Sequence, residues 1–244
     1  MTSKKDAPID KDAIREQIAL AALRHVPFDG WTTLSLEAGA RDSGFDAIMV
    51  KRVFPLGLSQ WAETWSEWAD ARMVETLGGL DLENMRIRDR IAQAVKARIM
   101  AHAGHREALR CCLAWLAIPG NTSVAAKNTL RSVSAMWYVA GDRSADWNYY
   151  TKRGLLAPVY TTTVLYWLAD TASETDGDTG GEDGDYPDTW GYLDRRIDNV
   201  LTIFGLPGRL KERMTKSGVG ADCNAIDGGP LGMLKRAFER RMGR

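Results

Sequence analysis

The sequence predicts an all-α protein in which a short helix-turn-helix-type module precedes a larger helical bundle. Apolar residues recur at helical spacing in nearly every periodic segment, and no convincing alternating run indicates a strand. Breaks at Pro27, Gly44, Pro55 and Pro119 divide this pattern into separate helices. At 244 residues with 45% hydrophobic content, the chain is long enough for a small module and a sizeable helical core.

Three short helices are predicted in the first 55 residues. The first carries Ile18 on its apolar face and ends near Pro27, the second is capped by Thr33, and the third is capped by Asp46 and ends at Pro55. Three short helices with a glycine turn between the last two form a helix-turn-helix arrangement. TetR-type regulators begin in a similar way.

The body begins with a helix that opens at Ser59 and is rich in tryptophan. Trp61, Trp65 and Trp68 lie at spacings of four and three residues, which predicts a core-facing stripe, while Asp70 falls largely on another face. Pro158 is expected either to kink a helix or to begin a new one. Further helices are predicted at about 86–103, 105–117, 122–140, 146–170 and 190–204.

The predicted third helix is poorly suited to DNA. It has an acid, Asp46, at its beginning and only Lys51 and Arg52 at its end, whereas phosphate contacts supply most of the non-specific affinity for DNA. The formal net charge of zero provides no global attraction to nucleic acid. A TetR-type DNA-binding transcriptional regulator with an apolar inducer is nevertheless the alternative function.

No residue pattern predicts catalysis, a metal site or a cofactor. His102 and His105 are three residues apart, but Gly104 between them indicates a helix end, and zinc generally needs three or four ligands. A serine nucleophile motif, a P-loop and a dinucleotide glycine pattern are all missing from the sequence. We therefore predict that the protein is not an enzyme, and an unrecognised catalytic site is the last of the possibilities.

Apolar faces in the body predict a pocket for an apolar ligand. They lie on the segments around 113–117, 133–137 and 156–167, and pockets often lie between the helices of a bundle. A fully packed core is the alternative. The predicted lipid-binding residues are Leu113, Leu116, Val133, Leu156, Tyr160, Val164 and Trp167.

The end of the chain predicts an amphipathic helix with a basic rim. Such a helix suits an anionic membrane surface, although it could instead dock on protein. The predicted membrane-binding residues are Leu231, Leu234, Lys235, Arg236, Phe238, Arg240, Arg241 and Met242.

A long pattern of residues resembles one protein family. It includes Ala21–Trp31, Val53-Phe54-Pro55 with Gly57, Trp137–Arg153, Tyr160, Thr189-Trp190 and Leu193-Asp194-Arg195-Arg196-Ile197. The family is that of the ubiquinone biosynthesis accessory protein called coenzyme Q biosynthesis protein nine. Ala145 and Tyr149 depart from its pattern, where Thr and Trp are usual.

This resemblance implies a TetR-like homodimer that no longer binds DNA and holds isoprenoid lipid or quinone intermediates in its helical body. It also implies contact with the membrane surface and presentation of quinone intermediates to the di-iron demethoxyubiquinone hydroxylase. The docking surface carried over from the family consists of Met136, Trp137, Asp142, Ser144, Asp146, Asn148, Tyr149, Tyr150 and Arg153.

The same features set the expected organisation and location. We expect a disordered N-terminus (1–11), a helix-turn-helix-like module (12–55), a lipid-binding and dimerisation body (56–204) and a flexible tail (205–244). Only three cysteines occur, and the first residues match neither a signal peptide nor a transit peptide. A bacterial cytoplasmic protein, peripherally associated with the inner membrane, is therefore expected.

Overall fold

The computed structural model describes residues 10–142, 147–171 and 186–200. These residues form helices joined by short turns, and no strand occurs among them, so the predicted all-α class is confirmed. All but the last two of the described residues belong to one compact unit, which ends at Asp198.

The N-terminal module contains four helices: α1 (Lys11–Ala22), α2 (Val26–Asp29), α3 (Thr33–Asp42) and α4 (Ala47–Val53). Asp10 caps α1 by accepting hydrogen bonds from the backbone N–H groups of Asp12 and Ala13. The predicted cap at Asp46 is present, and its carboxylate accepts from the N–H of Ile48. The short α2 occupies the stretch in which the sequence predicted only the end of the first helix.

Helices α1 and α3 approach each other closely because the contact is made by small residues. A Cβ atom added to Gly39 of α3 would lie only 2.5 Å from the backbone nitrogen of Ala22 in α1. Ala19 and Ala40 are also fully buried in this module. The helix pair therefore depends on a glycine at position 39.

The body consists of α5 (Leu58–Gly78), α6 (Ile87–Met100), α7 (Arg106–Leu116), α8 (Thr122–Val139) and α9 (Trp147–Ala169). A further helix, α10, runs from residue 187 to residue 200 at the end of the described range. Helix α5 packs on α6 and α8, and α8 packs on α9. No helix among residues 10–142, 147–171 and 186–200 is long and apolar enough to cross a membrane.

A stack of tryptophan rings joins the N-terminal module to the body. Trp31 lies against Trp61 with ring centroids 3.7 Å apart and planes 9° from parallel, and it also stacks on Trp65 at 5.7 Å. The indole of Trp61 donates a hydrogen bond to the backbone oxygen of Ala19 at 3.0 Å. The predicted core role of Trp61 and Trp65 is thus confirmed, whereas Trp68 is only half-buried.

Helix α9 continues through Pro158, so the proline does not begin a new helix, and of the two predicted alternatives the single helix that contains the proline remains. A proline inside a helix removes one backbone hydrogen bond. On the next turn, the hydroxyl of Thr162 donates to the carbonyl of Pro158 at 2.7 Å and that of Thr163 donates to the carbonyl of Val159 at 2.7 Å. Both threonine hydroxyls therefore bond to backbone carbonyls one turn earlier in the same helix.

Arg106 fastens the end of α9 to the segment that leads into α10. Its guanidinium donates to the backbone oxygens of Trp167 and Asp170, each at 2.7 Å, and to the hydroxyl of Tyr186 at 3.0 Å. It also lies over the rings of Trp167 and Tyr186, at 4.8 and 5.1 Å from their centroids. One side chain therefore contacts both the end of α9 and Tyr186, which lies just before α10.

Candidate functional site

A cavity of about 380 Å³ lies between helices α5, α6, α7, α8 and α9. Leu109, Leu113 and Leu116 of α7 and Val164 of α9 form an apolar part of its lining. Thr122 and Leu165 also line it and are exposed, so the cavity reaches the surface where α7, α8 and α9 meet. This volume lies within the range of small-molecule binding sites.

Four of the seven predicted lipid-binding residues line this cavity, and three do not. Val133, Leu156 and Trp167 are instead buried in the packed core beside it. A helical wheel assigns a residue to a face, but it cannot distinguish a packed contact from the wall of a cavity. The lining residues predicted from sequence are Leu113, Leu116, Tyr160 and Val164.

A buried ion-pair network adjoins the inner part of the cavity. The Asp70 carboxylate accepts from Arg98 Nε at 2.6 Å, from the Ser132 hydroxyl at 2.6 Å and from Arg131 Nε at 3.1 Å. Arg98 is only 2% exposed and also donates to the Ser66 hydroxyl at 3.1 Å. A charge this deeply buried requires such partners, because desolvation strongly disfavours an unpaired ion.

The sequence pattern predicted that Asp70 lies largely on a different face from the tryptophan stripe, whereas Asp70 is buried in this network. The available signal was Arg98, which follows Ile91 and Val95 at the helical spacing of the buried face of α6. An arginine on an apolar stripe indicates a buried acidic partner. The identity of that partner, 28 residues earlier in the chain, could not be read from local periodicity.

His102 lies beside Arg98 in the cavity wall. Its Nε2 atom is 2.5 Å from Arg98 Nη1, and its ring meets Trp65 edge to face at 4.6 Å. Burial, reinforced by the positive charge of Arg98, lowers the pKa of His102 well below its usual value, so the imidazole is neutral. Among the described residues, no group of three or more His, Cys, Asp or Glu side chains could hold a metal ion.

Several predicted docking residues lie beneath the surface where α8 meets α9. Met136 is fully buried, and Arg153 is buried while it donates to the Ser134 hydroxyl at 3.1 Å. Arg153 and Lys152 both pair with the Asp142 carboxylate, at 3.6 and 2.8 Å. Met136, Asp142 and Arg153 can therefore position a docking surface, but they offer little area to a partner.

Tyr150 and Trp137 are the better-placed members of the predicted docking surface. Tyr150 is 59% exposed on the first turn of α9, and Trp137 is half-buried with Lys152 Nζ 5.4 Å from its ring centroid. The Trp137 indole donates to the backbone oxygen of Lys152 at 3.3 Å, which links α8 to α9. An exposed tyrosine and a half-buried tryptophan in contact with a lysine are residue types that suit a protein interface.

The remaining predicted docking and membrane sites lie outside what the structure describes. Ser144 and Asp146 lie between the described ranges, and Asn148 and Tyr149 belong to α9 but their side chains are not described. The predicted membrane-binding residues from Leu231 to Met242 also lie outside the described residues.

The helix that would read DNA in a helix-turn-helix regulator is α4. The Asp46 carboxylate caps its beginning, and its two basic residues, Lys51 and Arg52, are exposed in its last turn. A carboxylate at a helix N-terminus occupies a position that favours a phosphate in anion-binding helices. The geometry therefore does not favour the alternative of a DNA-binding regulator.

Comparison with known proteins supports the resemblance found in the sequence. A protein-family model described as COQ9 matches residues 122–203, which include α8, α9 and α10. The Drosophila melanogaster protein "Ubiquinone biosynthesis protein COQ9, mitochondrial" is 31% identical over 198 residues, which are 79% of this chain and 56% of that protein. The resemblance to the COQ9 family is confirmed.

The human relative carries the same COQ9 name. It is 26% identical over 200 residues, which are 79% of this chain and 59% of the human protein. The chain thus spans less than two thirds of the length of these two COQ9 proteins. Both of these relatives are named as ubiquinone biosynthesis proteins.

A solved structure with a similar fold is the TetR transcriptional regulator from Nitrosomonas europaea. It matches with a TM-score of 0.58 at 16% identity, covering 78% of this chain and 98% of the regulator. At this identity the likeness establishes the fold alone. The TetR-like fold predicted for this chain is therefore confirmed.

The predicted location is wrong. We expected a bacterial cytoplasmic protein at the inner membrane, whereas the Drosophila, rat and human COQ9 relatives are all named as mitochondrial proteins. The expectation depended on the absence of a recognisable leader and on the low cysteine count. Neither feature distinguishes a bacterial cytoplasm from other reducing compartments.

Proposed function

We propose that this chain is a non-catalytic, lipid-binding accessory protein of ubiquinone biosynthesis. In this proposal it holds isoprenoid quinone intermediates in the cavity and presents them to the di-iron demethoxyubiquinone hydroxylase at the membrane surface, working as a homodimer. The observation that carries the proposal is the cavity of about 380 Å³, with its leucine-lined wall on α7 and its opening beside Leu165. The names of the COQ9 relatives support the pathway.

The apolar wall accounts for the choice of a lipid. Leu109, Leu113 and Leu116 of α7 and Val164 of α9 line the cavity, and none of their side chains offers a hydrogen bond. Removing a prenyl chain from a bilayer exposes hydrocarbon to water at about 0.8 kcal/mol per methylene, unless a protein surface replaces the lipid. A cavity that opens at the protein surface supplies such a replacement.

Filling the cavity is expected to empty it of lipid. Ala125 of α8 lines the cavity, whereas its neighbour Ala126 is exposed and does not. We expect Ala125→Phe to lower the isoprenoid content of the purified protein at least tenfold, because the phenyl ring occupies the ligand's space. Ala126→Phe is the matched control and should keep the content of the unaltered protein.

Mass spectrometry of organic extracts measures this content against a mock purification. A bound isoprenoid quinone or precursor near one per chain, lost only in Ala125→Phe, would support the proposal. Extracts of the unaltered protein without isoprenoid, or equal content in both variants, would contradict lipid binding in this cavity.

Hydroxylase docking is expected to depend on Tyr150. Replacing it by Ala removes an exposed ring, so affinity for the hydroxylase should fall about tenfold. Tyr166→Ala is the control on the same helix, since 16 residues place it about 24 Å away. A titration in which Tyr150→Ala binds as tightly as Tyr166→Ala would contradict docking at this surface.

A further inference from the structure

A short turn follows α8 and leads towards the predicted docking surface. Ala140 is the C-terminal cap of α8, and Gly141 follows it with a φ of +92°. The N–H of Asp142 then donates to the carbonyl of Trp137 at 2.9 Å, which folds the chain back over the last turn of α8. Glycine adopts a positive φ more readily than other residues, so the direction of the chain after α8 depends on Gly141.

Arg90 of α6 holds this turn from a distant part of the chain. Its Nη1 atom donates to the carbonyl of Ala140 at 3.2 Å, across a separation of 50 residues. Its Nε and Nη2 atoms donate to the carbonyls of Met85 and Glu83, each at 3.0 Å. Arginine suits this role because its planar group offers five N–H donors in a fixed geometry. One guanidinium therefore bridges the connection between α5 and α6 to the end of α8.

This guanidinium fixes a path of the backbone rather than neutralising a carboxylate. Arg90 is half-buried, and its hydrogen bonds to described residues all go to backbone carbonyls. A Cβ atom added to Gly141 would lie 3.2 Å from Arg90 Nη1, so the side chain packs directly against the turn. These contacts set where α8 ends relative to the beginning of α6.

The other side of the turn is joined to α9. The Asp142 side chain is 9% exposed and pairs with Lys152 at 2.8 Å and with Arg153 at 3.6 Å. The Trp137 indole donates to the backbone oxygen of Lys152 at 3.3 Å. Tyr150, which is exposed, precedes Lys152 by two residues in the same helix. A shift of Asp142 would therefore change how the beginning of α9 lies against α8.

We infer that Arg90 is a positioning residue for the docking surface and acts on it through the turn of Ala140, Gly141 and Asp142. This inference rests on the proposed docking of the hydroxylase, and it adds a residue of α6 to a surface otherwise built from α8 and α9. Without Arg90, the turn loses the bonds that hold it to α6. Asp142 then no longer keeps Tyr150 in its place beside α8.

Replacing Arg90 by Met tests this role, because it removes the three donors and keeps much of the aliphatic chain. Affinity for the hydroxylase, measured by titration of the full chain, should fall about tenfold, as for Tyr150→Ala. Arg15→Met is the matched control, since Arg15 is also half-buried and its Nε donates to the carbonyl of Val53 at 2.6 Å in the N-terminal module. The control should bind within about twofold of the unaltered chain.

A pair of glycine variants tests the turn without changing Arg90. Gly141→Ala strains a residue whose φ is +92°, and it should weaken binding about fivefold as the turn relaxes. Gly44→Ala is the matched control, because Gly44 has a φ of +78° and lies between α3 and α4, in the N-terminal module. The strain is similar in both variants, so only a variant at the docking turn should lose affinity.

Two further readouts distinguish positioning from a loss of stability or of charge. Arg90→Met and Tyr150→Ala together should cost about as much as either alone, whereas independent effects would multiply to about a hundredfold. Arg90→Lys keeps the charge, but one ammonium cannot reproduce the fork that reaches three carbonyls, so it should bind as weakly as Arg90→Met. Hydrogen exchange at the amides of Gly141 and Asp142 should become about tenfold faster in Arg90→Met.

Four results would overturn the inference while Tyr150→Ala still weakens the complex. They are equal affinities of Arg90→Met and Arg15→Met, a multiplicative loss in the double variant, full affinity of Arg90→Lys, and unchanged amide exchange at the turn. Equal affinities of Gly141→Ala and Gly44→Ala would also count against it. If the unaltered chain does not bind the hydroxylase, or Tyr150→Ala binds normally, the proposed docking fails, and the inference fails with it.

Discussion

Replacing Asp70 by Ala is expected to lower the free energy of unfolding by about 3–5 kcal/mol, the usual cost of breaking a buried ion pair by removing one partner. Arg98 would keep its charge while 2% exposed and would lose the carboxylate 2.6 Å from its Nε atom. The Ser132 hydroxyl and Arg131 would lose the same acceptor. Chemical denaturation monitored by circular dichroism measures the change.

Glu67→Ala provides the matched control, because it removes the other acidic partner of Arg131. The Glu67 side chain is 60% exposed, and an exposed ion pair contributes about 0–1 kcal/mol. We therefore expect a loss of no more than 1 kcal/mol from this variant. A loss from Asp70→Ala as small as that from Glu67→Ala would show that the buried network is not needed for stability.

Replacing Gly39 by Ala is expected to lower the free energy of unfolding by about 1–3 kcal/mol, the usual cost of overpacking a core. The new methyl group would lie 2.5 Å from the Ala22 nitrogen and 2.7 Å from its Cα. Both are backbone atoms, which cannot turn aside as a side chain can. Helices α1 and α3 would have to separate, despite the gain of about 1 kcal/mol in helix propensity.

Gly154→Ala is the control for Gly39→Ala, because it makes the same chemical change inside a helix without a clash. Gly154 lies in α9, and nothing lies within 4 Å of a Cβ atom added there. The free energy of unfolding should rise by about 0.5–1 kcal/mol, since alanine loses less conformational freedom than glycine on folding. Thermal unfolding compares the two variants, and opposite signs are expected. A stabilising Gly39→Ala would contradict the close contact of α1 with α3.

Features of the fold that depend on neighbouring residues were predictable from the sequence. The cap at Asp46 and the turn at Pro119–Asn121 are local, so residue identity and spacing suffice to predict them. The core role of Trp61 and Trp65 also follows from helical periodicity. The effect of Pro158 was harder to predict, because the sequence does not reveal how strongly packing against neighbouring helices stabilises α9 as one continuous helix.

The candidate site was predictable only in part, because it is formed by residues far apart in the chain. Leu113 and Val164 were identified as apolar wall residues, but Asp70, Arg98 and Asn128 were not. Asp70 of α5 pairs with Arg98 of α6, and Asn128 lines the cavity from α8, so their roles depend on the packing of three different helices. For Arg153, the sequence indicated a polar surface residue, whereas the fold covers its side chain and pairs it with Asp142.

The stack of Trp31 on Trp61 and Trp65 has a consequence for the evolutionary history of this architecture. Trp61 and Trp65 belong to the body, yet Trp31 of the N-terminal module covers them, and Trp61 also bonds to Ala19 of that module. A descendant that deleted the module would expose two large indoles to water. The module is therefore part of the hydrophobic core of the body, and it cannot be removed without opening that core.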